Sequence, residues 1–144
     1  MSETTIPPAA ALWIRRWLIL VGLMVYAMIL IGGATRLTDS GLSITEWDPI
    51  KGAIPPLSAD AWNDAFTKYR ETAEYRYINH GMSMSEFQYI YWWEWGHRFF
   101  GRMIGLVAIL GIGVFAIRKW LTRPLMFRLL GLIALGGLQG AIGW

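Results

Sequence analysis

Three apolar stretches, separated by one long mixed segment and one short basic one, set the framework of the 144-residue chain. Trp17 to Thr35 runs 19 residues without a charge, enough for one crossing at about 20 residues per span. Met103 to Ile117 is an uncharged run of only 15 residues. Counting back about 20 residues from Ile117 starts that span near Arg98. His97 then falls at the outer membrane edge, with Arg102 roughly 7 Å deeper at the helical rise per residue. The third run begins near Leu125, crosses only Arg128 and reaches Trp144. The pattern predicts an all-α integral membrane protein with transmembrane helices over 14–35, 98–117 and 125–144, and an outer loop over 36–89.

Periodicity continues inside that loop. Trp62, Phe66 and Tyr69 follow an i, i+4, i+7 rhythm behind a cap at Ser58. They predict a short amphipathic helix, lying either on the membrane or as a cover on the bundle. Pro55-Pro56, Gly41 and Gly52 mark turns before it. Ser83-Met84-Ser85-Glu86 reads as a capping box, with Met82 and Phe87 where a hydrophobic staple packs. The second long helix is therefore expected to start at Met84 and run unbroken to Ile117. Its length of roughly 50 Å leaves about a third of it outside the bilayer.

Composition agrees with a membrane protein: 55% of residues are hydrophobic and 16% charged, where a soluble domain carries about a quarter. The chain has no cysteine, which excludes disulfides, thiolate ligands and iron–sulfur clusters. The aromatics lie in apolar runs rather than among basic patches, so no nucleic-acid partner is expected. Arg118, Lys119, Arg123 and Arg128 crowd the short connection and Arg15-Arg16 precede the first span, whereas the long loop mixes basic residues with more acidic ones. That asymmetry predicts a cytoplasmic N-terminus and a periplasmic loop. Trp92, Trp93 and Trp95 would form the outer aromatic belt and Trp120 the inner one. The first apolar run is too long for a signal peptide, and the segment before it carries Glu3 and resembles no transit peptide. A bacterial inner membrane is the expected location, with the lipid bilayer itself a partner.

Candidate chemistry concentrates in Glu94-Trp95-Gly96-His97-Arg98. Ionisable groups are costly at membrane depth and mark functional sites there. Glu94 and His97, three apart, share a helix face. An imidazole there suits axial ligation of haem iron, or equally a hydrogen-bonding or proton-relay role. Gly101 and Gly105 continue the His97 face and leave room for a flat macrocycle, or serve ordinary helix packing. Arg98 and Arg102 either snorkel to the interface or pair with haem propionates. Gln139, on the third span, either lines an outer-leaflet pocket or bonds a neighbouring helix. His80, beside Gly81, reads as a solvated turn residue.

The segments GGATRLTDSGLSITEWDPIKGAIPPL (32–57), GMSMSEFQYIYWWEWGHRFFGRMIG (81–105) and GGLQGAIGW (136–144) resemble the amino-terminal part of the haem A synthase family, in its cysteine-free alphaproteobacterial and mitochondrial type. The resemblance implies two four-helix haem-binding bundles of eight helices in all, of which this chain supplies three helices of the first. It implies oxidation of a ring methyl of haem O to a formyl group through hydroxylated intermediates, with haem O as substrate in the first bundle and haem b as cofactor in the second. On the family's Glu-x-x-His motif, Glu94 is the carboxylate of the oxidation and His97 an axial ligand to haem iron. Arg36, Arg98, Arg102, Gly101, Gly105 and Gln139 are the expected haem-contacting residues. The family's other five helices are absent, so a truncated chain or fragment is expected. A non-enzymatic haem-binding module and an inactive fragment are the alternatives, and a homo-oligomer or haem O synthase the partners left open.

Overall fold

The computed structural model describes residues 6–46, 48 and 51–143, so Glu3 and the end of the third span at Trp144 lie outside the described residues. It is all-helical among them: α1 (Pro8–Leu37), α2 (Ala59–Arg70), α3 (Ala73–Tyr77), α4 (Met84–Ile117) and α5 (Arg123–Ile142), with one 3-10 turn at Lys51–Ala53. Helices α1, α4 and α5 are each long and apolar enough to cross a membrane. The chain is a multi-pass membrane protein.

Helix ends follow local chemistry. Ser58 Oγ accepts from the Ala61 N–H at the start of α2, and Thr122 Oγ1 from the Leu125 N–H at the start of α5. At α4 the capping box is reciprocal: the Ser83 N–H donates to Glu86 Oε2 at 2.7 Å and the Glu86 N–H to Ser83 Oγ at 3.4 Å. That reciprocity is why α4 begins at Met84, as the sequence predicts. Helices α1 and α4 end in the same way. Asp39 and Lys119 adopt left-handed φ of 48° and 55°. The Ser40 N–H then reaches the Thr35 carbonyl, and the Trp120 N–H the Phe115 carbonyl, satisfying carbonyls that a helix end leaves open. Helix α1 starts earlier than the uncharged run, because Arg15 and Arg16 sit on an exposed face and do not interrupt it.

The chain divides into two units, one from Met28–Phe100 and one from Met1–Ala27 with Gly101–Trp144. In the first, Phe66 and Tyr69 of α2 are buried with Phe87, Ile90 and Tyr91 of α4, flanked by Ile44, Trp62, Met82 and Trp95. Phe87 stacks on both Phe66 and Tyr69, with ring centroids at 4.8 and 5.2 Å. Through these rings α2 packs against α4. Burial pushes the Tyr69 phenol above its ordinary pKa, partly offset by the bond its oxygen accepts from Asn79 Nδ2. Helix α3 and the 3-10 turn carry no apolar rhythm of their own, and periodicity gave no sign of them.

In the second unit, Trp17 of α1 lies across α4. Its Nε1 donates to the Val107 carbonyl at 3.1 Å, and its ring meets Phe115 edge-on at 5.5 Å. Gly111 makes the approach possible, since a Cβ there would overlap the indole. Most leucines and isoleucines of this unit are exposed, as lipid-facing side chains are.

Candidate active site

Glu94 lies about three turns into α4 and is 3% exposed. A bare carboxylate at such burial is costly, so its partners decide whether it is tolerated. Three donors converge on it. Ser43 Oγ and the Ile44 N–H donate to Oε2 at 2.7 and 2.8 Å, and Arg98 Nη2 pairs with Oε1 at 2.5 Å. Arg98, one turn along α4, also donates to the Ile44 carbonyl at 3.3 Å. The backbone of Ile44 is thus held at both its N–H and its carbonyl, while its side chain packs on the aromatic core.

The segment that brings Ser43 and Ile44 to Glu94 is itself anchored. Ser40, fully buried, donates its hydroxyl to the Thr35 carbonyl at 2.9 Å, and Thr38 bonds back to Ala34 and Thr35. Further on, Glu46 pairs with Lys68 of α2 at 2.7 Å. Residues 38–46 therefore form a strap from the end of α1 across α4 to α2.

His97, one turn beyond Glu94, is half-buried and makes no hydrogen bond among the described residues. Its Nε2 lies 3.1 Å from the position a Cβ would take on Gly32 of α1. Any side chain at position 32 would press on that nitrogen. Glycine at position 32 is what lets the backbone of α1 come this close to the imidazole. His80 is exposed in a turn beside Tyr75, as expected.

The structure brings Glu94, Arg98 and His97 together on one stretch of α4, with Gly32 opposite the imidazole. Arg36 is in the last turn of α1, exposed. Gly101, Arg102 and Gly105 continue α4 in the other unit, where a Cβ on Gly105 would meet nothing within 4 Å. Gln139 is exposed on α5. Sequence reasoning missed Ser43 and Ile44. Their signal was a small hydroxyl residue between two apolar ones in Leu42-Ser43-Ile44, inside a stretch that already carried the family resemblance.

Comparison with known proteins identifies the family of the chain. The sequence matches the family of cytochrome oxidase assembly proteins over residues 15–144. The chain belongs to that family. Relatives within it include the heme A synthase of Hyphomonas neptunium, 66% identical over 144 residues, covering 100% of this chain and 41% of the relative. Those of a Methylobacterium species and of Maricaulis maris are 60% and 56% identical over 131 residues, covering 91% of this chain and 36% and 38% of the relatives. The chain spans about two fifths of the length of these curated relatives. No solved structure matches it.

Proposed function

We propose that this chain builds the haem O site of a haem A synthase, in which a ring methyl of haem O is oxidised to a formyl group. The supporting observation is a half-buried imidazole, His97, with no hydrogen bond among the described residues and a glycine facing it, one turn from the buried carboxylate of Glu94. In this reading His97 is an axial ligand to the iron of haem O, a role suited to an imidazole in a membrane helix. Glu94 is the carboxylate that stabilises positive charge or accepts a proton as the methyl is oxidised. By the family resemblance, Arg36 and Arg102 are proposed as haem-contacting residues, Arg102 through a propionate. Gly101, Gly105 and Gln139 are proposed as further haem contacts. Haem b, which supplies redox chemistry when bound, belongs by family resemblance to the second bundle, and no residue of this chain is assigned to it.

A competing reading makes Glu94 purely structural in a haem-binding module, favoured by the three donors around it. The two readings separate in a chimera whose remaining residues come from the Hyphomonas neptunium relative, expressed in a host that makes haem O but lacks its own synthase. Glu94→Ala should keep haem O bound and stop formyl formation. His97→Ala should instead weaken haem occupancy, through loss of an iron ligand. Normal haem A production by Glu94→Ala would favour the structural reading.

The proposed setting is a bacterial inner membrane, with the strap and α2 in the periplasm and the connection from α4 to α5 in the cytoplasm. The support is the Lys/Arg asymmetry of the two connections. In this cysteine-free background, Asp60→Cys should react with an impermeant thiol reagent in intact cells, and Lys119→Cys should not. Reversed labelling would place the Glu94–His97 site on the cytoplasmic side.

A further inference from the structure

We infer that Ser43 is a positioning residue for the Glu94 carboxylate, closing with the Ile44 peptide and Arg98 a clasp that fixes where that carboxylate meets haem O. The inference rests on the catalytic assignment of Glu94 proposed above. It differs from the sequence expectation for Arg98, which offered that guanidinium to the propionates.

The argument starts from hydrogen-bond capacity. A glutamate side chain on a helix has three rotatable bonds, and a carboxylate that must act at a defined ring methyl needs its direction fixed. Each partner of Glu94 donates, and each comes from a different anchor. The Ser43 hydroxyl is 2% exposed and its strap is pinned at Ser40, which is itself fully buried. The Ile44 N–H belongs to a residue whose side chain packs against the aromatic core. Arg98 spans the second carboxylate oxygen and the Ile44 carbonyl, tying helix to strap. Oε2 takes both strap donors, so Oε1 is the oxygen with acceptor capacity left beside its Arg98 contact. Ser43 is the clasp donor whose side-chain bond to Glu94 can be removed without leaving a charge unpaired. Its hydroxyl lies 3.4 Å from the Ile90 carbonyl, a much weaker alternative partner than the carboxylate.

The test uses the haem A-forming chimera with Ser43→Ala and Ser43→Cys. Losing a hydrogen bond to a charged group in a buried site should lower haem A formed per bound haem about tenfold or more for Ser43→Ala. The Soret band and the amount of haem O retained should stay at the parent level. Cysteine, close to serine in size but a weaker donor, should fall between the two. Parental activity in Ser43→Ala beside an inactive Glu94→Ala overturns the positioning role and leaves the catalytic reading standing. Parental activity in both variants overturns the catalytic reading, and the inference with it. Loss of haem and activity together in Ser43→Ala, or equal activity of the Ala and Cys variants, makes Ser43 a structural residue and overturns the inference.

Discussion

Residues 28–100 bury stacked aromatic rings, two serines and a carboxylate. Among the described residues, the unit from residues 1–27 and 101–144 buries little beyond Ala10, Ile14, Ile112, Phe115 and Leu129, and turns its leucines outward. The contrast follows from the alternative each surface has. Where water is the alternative, removing aromatic area from it drives α2 onto α4. Where lipid tails are the alternative, a leucine gains almost nothing by leaving them for a neighbouring helix. Close approach then has to be specified by shape, and Gly111 under the Trp17 indole is that kind of contact. The candidate site falls in the unit with the stronger burial, where a carboxylate can be surrounded by fixed donors.

The largest effect should come from the aromatic core. Phe87 is fully buried between Phe66, Tyr69, Trp62 and Tyr91, and Phe87→Ala should cost about 3–5 kcal/mol, as large aromatic truncations do. Limited proteolysis of membranes should then cut α2 and α3 at protease levels that leave the parent intact. Equal resistance in the variant would mean that something other than this core holds α2, and the contrast between the units would lose its basis.

In the other unit the corresponding change is an addition. Gly111→Ala places a methyl where the Trp17 indole lies, so the ring must move and give up its bond to the Val107 carbonyl and its edge contact with Phe115. An overpacked interface of this kind costs about 1–3 kcal/mol. Leu135→Ala, on an exposed face of the same unit, should leave thermal unfolding in detergent unchanged within error. If Leu135→Ala costs as much as Gly111→Ala, the outward leucines are packed against protein rather than lipid.

What was legible in the sequence divides along the same line. The bounds of α4, the cap of α2 and the Trp62–Phe66–Tyr69 face were readable because caps and periodicity are local. Glu94 and His97 stood out because charge in an apolar run is conspicuous. The strap was not readable, because nothing local says that Ser43 reaches a carboxylate 51 residues away. The role of Arg98 was hidden for the same reason. A guanidinium at a helix edge can face a propionate or a neighbouring carboxylate, and only the fold shows the Ile44 carbonyl beside it. Gly32 lay in a quoted motif, but its meaning appears only once His97 is set against it.

The smallest effect should be at the outer end of the strap, where Lys68 pairs with both Glu46 and Asp64 at 2.7 Å. The hydrogen bonds it donates to Asp64 and then Glu46 raise the Lys68 ammonium above its ordinary pKa. All three side chains are nonetheless well exposed, at 40%, 69% and 66%. Water and salt screen such pairs, and ordering three long side chains costs entropy that offsets the attraction. Lys68→Met should therefore leave the thermal midpoint unchanged at physiological salt, and haem A output in the chimera at the parent level. The buried anchors at Ser40 and Ser43, with half-buried Ile44, suffice to hold the strap. A loss comparable to that of Gly111→Ala, and one that disappears at high salt, would show the strap to be held from its solvent end by charge. The clasp around Glu94 would then depend on ionic strength, which no contact at its buried end predicts.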